Sequence, residues 1–228
     1  MSGRCLVFIF LMTLGAMDVS AIQPDHRMSN SVVQIQGAES GGRLYFGSGV
    51  IVAPKIVATN CHVVRTGGRI GIFRGYRSYR VEGVRADVRS DLCLLDVPAL
   101  DLHPARLASI GSLKKGDALY FYGFPRALGL SYTDGKVLRT RHQDGLPLIE
   151  TSAFFTLGGS GGGLFDRRGR LVGLATYIDR GHGGGYYAIG SDLIAQVMKR
   201  PRLPIAPLTG SAFWETASVP AQGSHVRD

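Results

Sequence analysis

The chain has 228 residues, 26 Lys and Arg against 17 Asp and Glu, a formal charge of +9 and 45% hydrophobic residues. That length supports a sizeable buried core, and the apolar fraction excludes a disordered or low-complexity chain. The basic residues are scattered, with no block of five or six, so the charge points to solubility and attraction to acidic surfaces rather than to nucleic-acid binding.

Met1-Ser2-Gly3-Arg4, the apolar run Cys5 to Met17 and the small-residue stretch Val19-Ser20-Ala21 are the three regions of a secretory signal peptide over 1–21. The apolar run is shorter than the ~20 residues that span a bilayer. Cleavage after Ala21 removes Arg4 and Asp18 together, so the charge stays at +9, and it removes Cys5, leaving Cys61 and Cys93 in an exported, oxidising setting. After a segment over 22–30, the runs Ser31–Gln36, Leu44–Val52, Ile56–Ala58, Arg69–Arg74 and Tyr79–Val88 are separated by Gly, Pro and polar breaks. Short strands at such spacing predict a first β-barrel over about 31–97. Pro98 to Lys115 reads as a crossing linker. A second series, Ala118–Tyr122, Leu130–Thr133, Lys136–Thr140, Leu146–Ile149, Gly163–Phe165, Leu171–Tyr177 and Tyr186–Ile189, predicts a second barrel over about 116–190. Ser191–Arg200 has a capping serine, apolar residues at helical spacing and a basic last turn, so it predicts a closing helix that Pro201 stops. Residues 201–228 hold three more prolines and little periodicity, and read as a disordered tail too short for the ~50 residues of a domain. The expected fold is all-β: two six-stranded antiparallel barrels with a short C-terminal helix, in one domain over 31–200.

The chemistry centres on Thr156-Leu157-Gly158-Gly159-Ser160-Gly161-Gly162-Gly163-Leu164. A serine hydroxyl needs a base to take its proton, and the oxyanion it creates needs donors already in place. Glycines supply positive-φ bends that aim backbone N–H groups inward, so Gly158, Gly159 and Ser160 form the candidate oxyanion hole around Ser160. The same letters satisfy the G-x-S-x-G elbow, whose acid and base follow the serine. Asp166, Asp179, Asp192, Asp228, His182 and His225 follow it here, but the helices that an α/β-hydrolase esterase places between strands are missing from the pattern. A phosphate loop needs a Lys beside the Ser, where Gly161 stands. A Gly/Ser run in a chain with 32 glycines also fits a plain flexible loop.

Upstream, the apolar strand Ile56-Val57-Ala58 leads into Thr59-Asn60-Cys61-His62-Val63-Val64, and Ser90-Asp91-Leu92-Cys93-Leu94-Leu95-Asp96-Val97 comes later. His62, Asp91 and Ser160 thus fall in the order of a His-Asp-Ser triad. Asp91 is preferred over Asp87, in a more polar stretch, and Asp96, where a strand ends. These blocks, together with Gly47-Ser48-Gly49-Val50-Ile51-Val52 and Gly169-Arg170-Leu171-Val172-Gly173-Leu174, resemble the trypsin-like, chymotrypsin-fold serine proteases of the HtrA/Deg type over roughly Ser31 to Lys199.

The resemblance implies His62 and Asp91 on the first barrel, Ser160 on the second and a cleft between them. It implies an exported serine endopeptidase, periplasmic or secreted, acting on protein or peptide substrates through an acyl-enzyme, with no cofactor, metal or nucleic acid. A protease-like binding module that does not cut is the alternative. HtrA-type proteases commonly carry a PDZ domain after the protease, for which 201–228 leaves no room. Gly159 stands where digestive proteases place Asp and the HtrA type usually places Asn, which makes the loop more mobile. An ungapped match puts Phe154 and Phe155 at the base and wall of the specificity pocket, Leu157 at its rim, and Thr176, Tyr177 and Tyr187 opposite, with Thr176 at the position of a hydroxyl that bonds the triad acid. This pocket has no carboxylate and favours a small apolar residue before the cut. Alternatively, both Phe rings pack into the second core. Because His62 and Asp91 must meet, a Cys61–Cys93 bridge is geometrically compatible, as are two buried free thiols. His26, His103 and His142 are in loop-like settings and take no role.

Overall fold

A computed structural model describes residues 26–39, 41–179 and 184–217. The leader over 1–21, His182, His225, Asp228 and the last residues of the tail lie outside the described residues.

The first sheet contains β1 (Val32–Ala38), β2 (Leu44–Ala53), β3 (Ile56–Asn60), β4 (Arg69–Arg74), β5 (Arg77–Arg80), β6 (Gly83–Asp87) and β7 (Leu92–Asp96), in the order β5-β4-β1-β2-β3-β7-β6. Its outer strands β5 and β6 are joined through Val81 and Glu82, whose N–H groups reach Ile70 O and Asp96 O at 3.2 and 2.9 Å. The half-barrel is therefore closed by chain rather than by a ladder. The second sheet contains β8 (Arg106–Leu107), β9 (Ala118–Gly123), β10 (Ser131–Gln143), β11 (Leu146–Thr151), β12 (Gly163–Asp166), β13 (Arg170–Asp179) and β14 (Gly185–Gly190). In the order β12-β9-β10-β11-β14-β13, closed by β12–β13 pairing, six of them form an antiparallel barrel, and β8 from the linker adds in parallel to β13. The all-β, two-barrel expectation is met; the first barrel has one strand more than expected because Tyr79–Val88 breaks into β5 and β6.

Strand sequences follow from what lies on each face. In β7 all five residues Leu92–Asp96 are buried. Leu92 and Leu94 join the apolar cluster between the barrels, whereas Cys93 and Leu95 face the interior of barrel one. Likewise Leu171 and Leu174 of β13 face the other barrel while Val172 and Ala175 fill barrel two. A strand covered on both faces has no polar alternation, which is why these segments read as continuous apolar runs. Leu130–Thr133 and Lys136–Thr140, expected as two strands, fall, Leu130 apart, in the single 13-residue β10, which pairs with β9 and then, from Val137 and with an irregularity between Val137 and Arg139, with β11. Asp144 (φ 52°) and Gly145 (φ 80°) make the β10–β11 turn, the Asp-Gly pair that a type I′ hairpin favours.

Among the described residues four short α-helices complete the fold: α1 (His26–Ser29), α2 (Cys61–Val64), α3 (Ile194–Met198) and α4 (Phe213–Ala217). The closing helix is shorter than expected. Ser191 does not cap it; its hydroxyl donates to Ala108 O at 2.7 Å within a 3-10 turn, Ser191–Leu193, that precedes α3. The tail also differs from expectation. Residues 201–217 run along barrel one, with Leu203 bridged to Val84, Leu208 N–H on Arg65 O at 2.8 Å and Phe213 N–H on Arg89 O at 3.0 Å.

Candidate active site

β3 ends at Asn60, and α2 makes one turn that carries His62. Asp91 sits in the turn before β7 at φ +57°, a left-handed conformation that Asp tolerates better than most side chains. Its carboxyl group is 1% exposed and turned onto the histidine. His62 Nδ1 lies 2.6 Å from Asp91 Oδ2, and the His62 backbone N–H donates to Asp91 Oδ1 at 2.9 Å. This fixes the tautomer, with Nδ1–H on the carboxylate and Nε2 free to accept a proton. Asp87 and Asp96 are engaged elsewhere, with Arg200 at 3.0 Å and with Arg85 and Arg202 at 2.6 and 3.0 Å. Cys61 and Cys93 are bridged, Cα to Cα 4.9 Å, and tie the two segments together beside the pair.

Ser160 is carried by the loop between β11 and β12. Gly158 (φ +85°) takes a conformation that other residues avoid, and a Cβ there would meet Arg126 N at 2.7 Å. Arg126 N–H donates to Leu157 O at 2.9 Å, so the peptide before Gly158 points its carbonyl away and its N–H the other way. Among the described residues neither Gly158 N–H nor Ser160 N–H donates a hydrogen bond, so both are available to an oxyanion. Gly159 does not belong in the hole as expected: its N–H is spent on Thr156 O at 2.7 Å, closing the turn. Ser160 Oγ makes no hydrogen bond to His62 among the described residues.

Ser48 of β2 holds this loop from the other barrel. Its N–H donates to Ser160 O at 2.9 Å, its hydroxyl donates to Gly158 O at 2.7 Å and accepts from Phe124 N–H at 2.8 Å, and its carbonyl accepts from Thr59 Oγ1 at 2.7 Å. Every polar group of a fully buried residue is used, and sequence reading recognised Ser48 only as part of a motif. On the second barrel, Phe155 is 4% exposed, packed against Phe121 at 5.4 Å and Tyr186 at 5.3 Å. It belongs to the core and is not a free pocket wall. Phe154 and Leu157 stand out at 55% and 73% exposure, and Tyr177 and Tyr187 stack at 4.7 Å. Thr176 corrects another expectation. Its hydroxyl donates to Leu174 O at 2.7 Å and accepts from Asn60 Nδ2 and Ile189 N–H at 3.1 and 3.2 Å, so it does not touch Asp91. Among the described residues no His, Cys, Asp and Glu groups cluster as metal ligands.

The family model of the trypsin-like peptidase domain matches residues 47–174, more than half of the chain. The chain belongs to the trypsin-like peptidases, of the HtrA/Deg type. The periplasmic serine endoprotease DegP of Salmonella typhimurium is 32% identical over 179 residues, covering 70% of this chain and 38% of that protein. DegP of Escherichia coli K12 is 32% identical over 176 residues, covering 70% and 37%. This HtrA-type chain thus spans less than two-fifths of the length of these curated relatives. Among solved structures, the HtrA-type protease AlgW with a tripeptide is 29% identical with a TM-score of 0.69, covering 76% of this chain and 60% of that one. The serine endoprotease from Yersinia pestis is 28% identical with a TM-score of 0.67, covering 76% and 63%. The α/β-hydrolase alternative is thereby set aside. The region matched by the family model of this trypsin-like peptidase ends at Leu174, and a contact to the triad acid comes from beyond it. Trp214 Nε1–H donates to Asp91 Oδ2 at 3.0 Å. Nothing in the aperiodic tail signalled that residue.

Proposed function

We propose that the protein is an exported serine endopeptidase in which His62, Asp91 and Ser160 form the catalytic triad. The observations that carry this reading are the His62–Asp91 pair, 2.6 Å apart with the carboxyl group buried, and a serine loop in which, among the described residues, Gly158 N–H and Ser160 N–H are unpaired. In the reaction His62 Nε2 removes the Ser160 Oγ proton as Oγ bonds to the scissile carbonyl carbon. Gly158 N–H and Ser160 N–H receive the oxyanion. The tetrahedral species collapses with cleavage of the C–N bond, and the proton on His62 passes to the departing amine. Water, deprotonated by the same nitrogen, then releases the acyl group and regenerates Ser160. Asp91 stabilises the imidazolium at each stage.

Substrates are proteins or peptides, with a small apolar residue before the cut, taken against the exposed apolar Phe154 and Leu157. The leader-like residues 1–21 and the periplasmic relatives support export to the periplasm or beyond. A second reading, a binding module that does not cut, is favoured by the missing Ser160–His62 hydrogen bond, although such bonds often tighten only with substrate bound. Turnover of an unfolded protein such as reduced casein separates the two. Endopeptidase chemistry requires cleavage by the native chain, none by Ser160→Ala, and a ~10⁴-fold lower kcat for Asp91→Asn. Intact casein with the native chain, or equal cleavage by Ser160→Ala, overturns the proposal.

A further inference from the structure

We propose that the strap over 201–217 is part of the catalytic unit and that Trp214 is a positioning residue, its indole N–H holding the carboxylate that orients His62. This rests on the serine-peptidase reading. Asp91 is buried, so water cannot stand in for a missing donor, and its two oxygens have an unequal set of partners. Oδ1 accepts the His62 backbone N–H; Oδ2 accepts His62 Nδ1–H and Trp214 Nε1–H. Asn60 Nδ2 goes to the Asp91 backbone carbonyl, and Thr176 faces its own strand and Asn60. Among the described residues, Trp214 therefore supplies the one side-chain hydrogen bond to the carboxylate that does not come from histidine. A buried carboxylate bonded on both oxygens cannot swing, and the direction of its bond to His62 is set with it.

The half-buried indole is itself held by two rings. It stacks on Tyr177 with centroids 5.8 Å apart and planes within 12°, and meets the His62 ring edge-on at 5.5 Å. Next to it, Phe213 is buried in the cluster between the barrels. Glu215 receives two hydrogen bonds from Arg65, at 2.8 and 3.0 Å, and one from Ala212 N–H at 2.9 Å. Arg65 also donates to Gly210 O at 2.8 Å, and it lies three residues after His62. The segment bearing the histidine and the strap are thus clamped to each other, and the site is completed by chain beyond the residues 47–174 that the family model matches. Anything that lifts the strap should slow the chemistry without touching the triad residues.

The test uses the full chain and a fluorophosphonate probe, with the maximal labelling rate kinact and the half-saturating concentration KI measured separately. The proton between His62 Nδ1 and Asp91 Oδ2 is followed by 1H NMR, where so short a charge-assisted bond resonates far downfield. In Trp214→Phe, which keeps an aromatic ring, kinact falls at least tenfold, equivalent to ~1.4 kcal/mol. KI stays within twofold and the downfield resonance shifts or broadens. An unchanged kinact with an unmoved resonance overturns the proposal. Glu215→Gln, which loosens the clamp and leaves the indole in place, lowers kinact by about twofold to fivefold. Should Trp214→Phe not fold, a Glu215→Gln protein with native kinact and resonance overturns the proposal instead. If the native chain is not labelled at all, the peptidase reading fails, and the resonance in Trp214→Phe still decides whether the indole holds the Asp91–His62 pair.

Discussion

Reducing the Cys61–Cys93 bridge should cost global stability far more than it costs the chemistry of the folded site. The bridge closes a loop of 32 residues. In the chain-entropy relation that loop restricts the unfolded ensemble by about 12 cal/mol/K, or ~3.7 kcal/mol at 25 °C. With a urea m-value of ~2–3 kcal/mol/M, the unfolding midpoint falls by about 1–2 M. Both cysteines are buried, so reduction needs transient unfolding and is best done in denaturant before refolding with the thiols blocked from reoxidation. Within the folded state the bridged segments are also held by the β3–β7 ladder, including the pairs Thr59↔Cys93 and Asn60↔Leu92, and by Cys61 N–H on Asp91 O at 3.1 Å. The reduced protein, assayed where it is still folded, should therefore keep a labelling rate within a few-fold of native. A midpoint shift under ~0.3 M would refute the loop-entropy argument, and a hundredfold slower site at native stability would show that the bridge, not the ladder, holds His62 against Asp91.

Three further outcomes follow from named contacts. Ser48→Ala removes the hydroxyl that bonds Gly158 O and leaves Phe124 N–H unpaired in a buried site, so it should cost ~1–3 kcal/mol in urea unfolding and lower kcat about tenfold with little change in KM. The Arg65 guanidinium, hydrogen-bonded to Glu215, holds that carboxyl below its ordinary value. The stability it contributes is present above the ordinary Glu value of ~4.3 and is lost as pH falls through the depressed one. Since Trp214 is the only tryptophan of the chain, its emission should move to the red as pH falls below the ordinary Glu value, and Glu215→Gln should flatten that step; an identical step in both proteins would contradict it. Phe154→Ala should widen the accepted residue before the cut in a peptide-library digest, and dominant cleavage after Arg or Lys in the native protein would exclude an apolar pocket.

Much of this was readable because the informative contacts are local. His62 and Asp91 follow or precede apolar strands whose both-face burial leaves a plain sequence signature, and Ser160 lies between Gly158 and Gly161, which take positive φ. Position could be inferred where side-chain direction could not. Thr176 sits on the β13 stretch opposite Asn60, but its hydroxyl turns along its own strand to Leu174 O, a choice made by rotamer and by Asn60 from the other barrel. Gly159 was grouped with its neighbours although the turn that exposes Gly158 N–H consumes the next N–H. Trp214 was invisible for a different reason. Residues 201–217 have almost no regular structure, so no periodicity marks them, and their order comes from long-range partners such as Arg65, Val84, Arg89 and Asp91.

The central claim is that Ser160 is a nucleophile activated by His62, and the most direct measurement is site-resolved mass spectrometry after fluorophosphonate treatment of the folded chain. The account predicts one adduct, on Ser160, absent in Ser160→Ala and formed at least 10³-fold more slowly in His62→Ala, with the unfolding midpoint of each variant close to native. A folded native protein that takes no label, or one labelled equally in the Ser160→Ala variant, would contradict it.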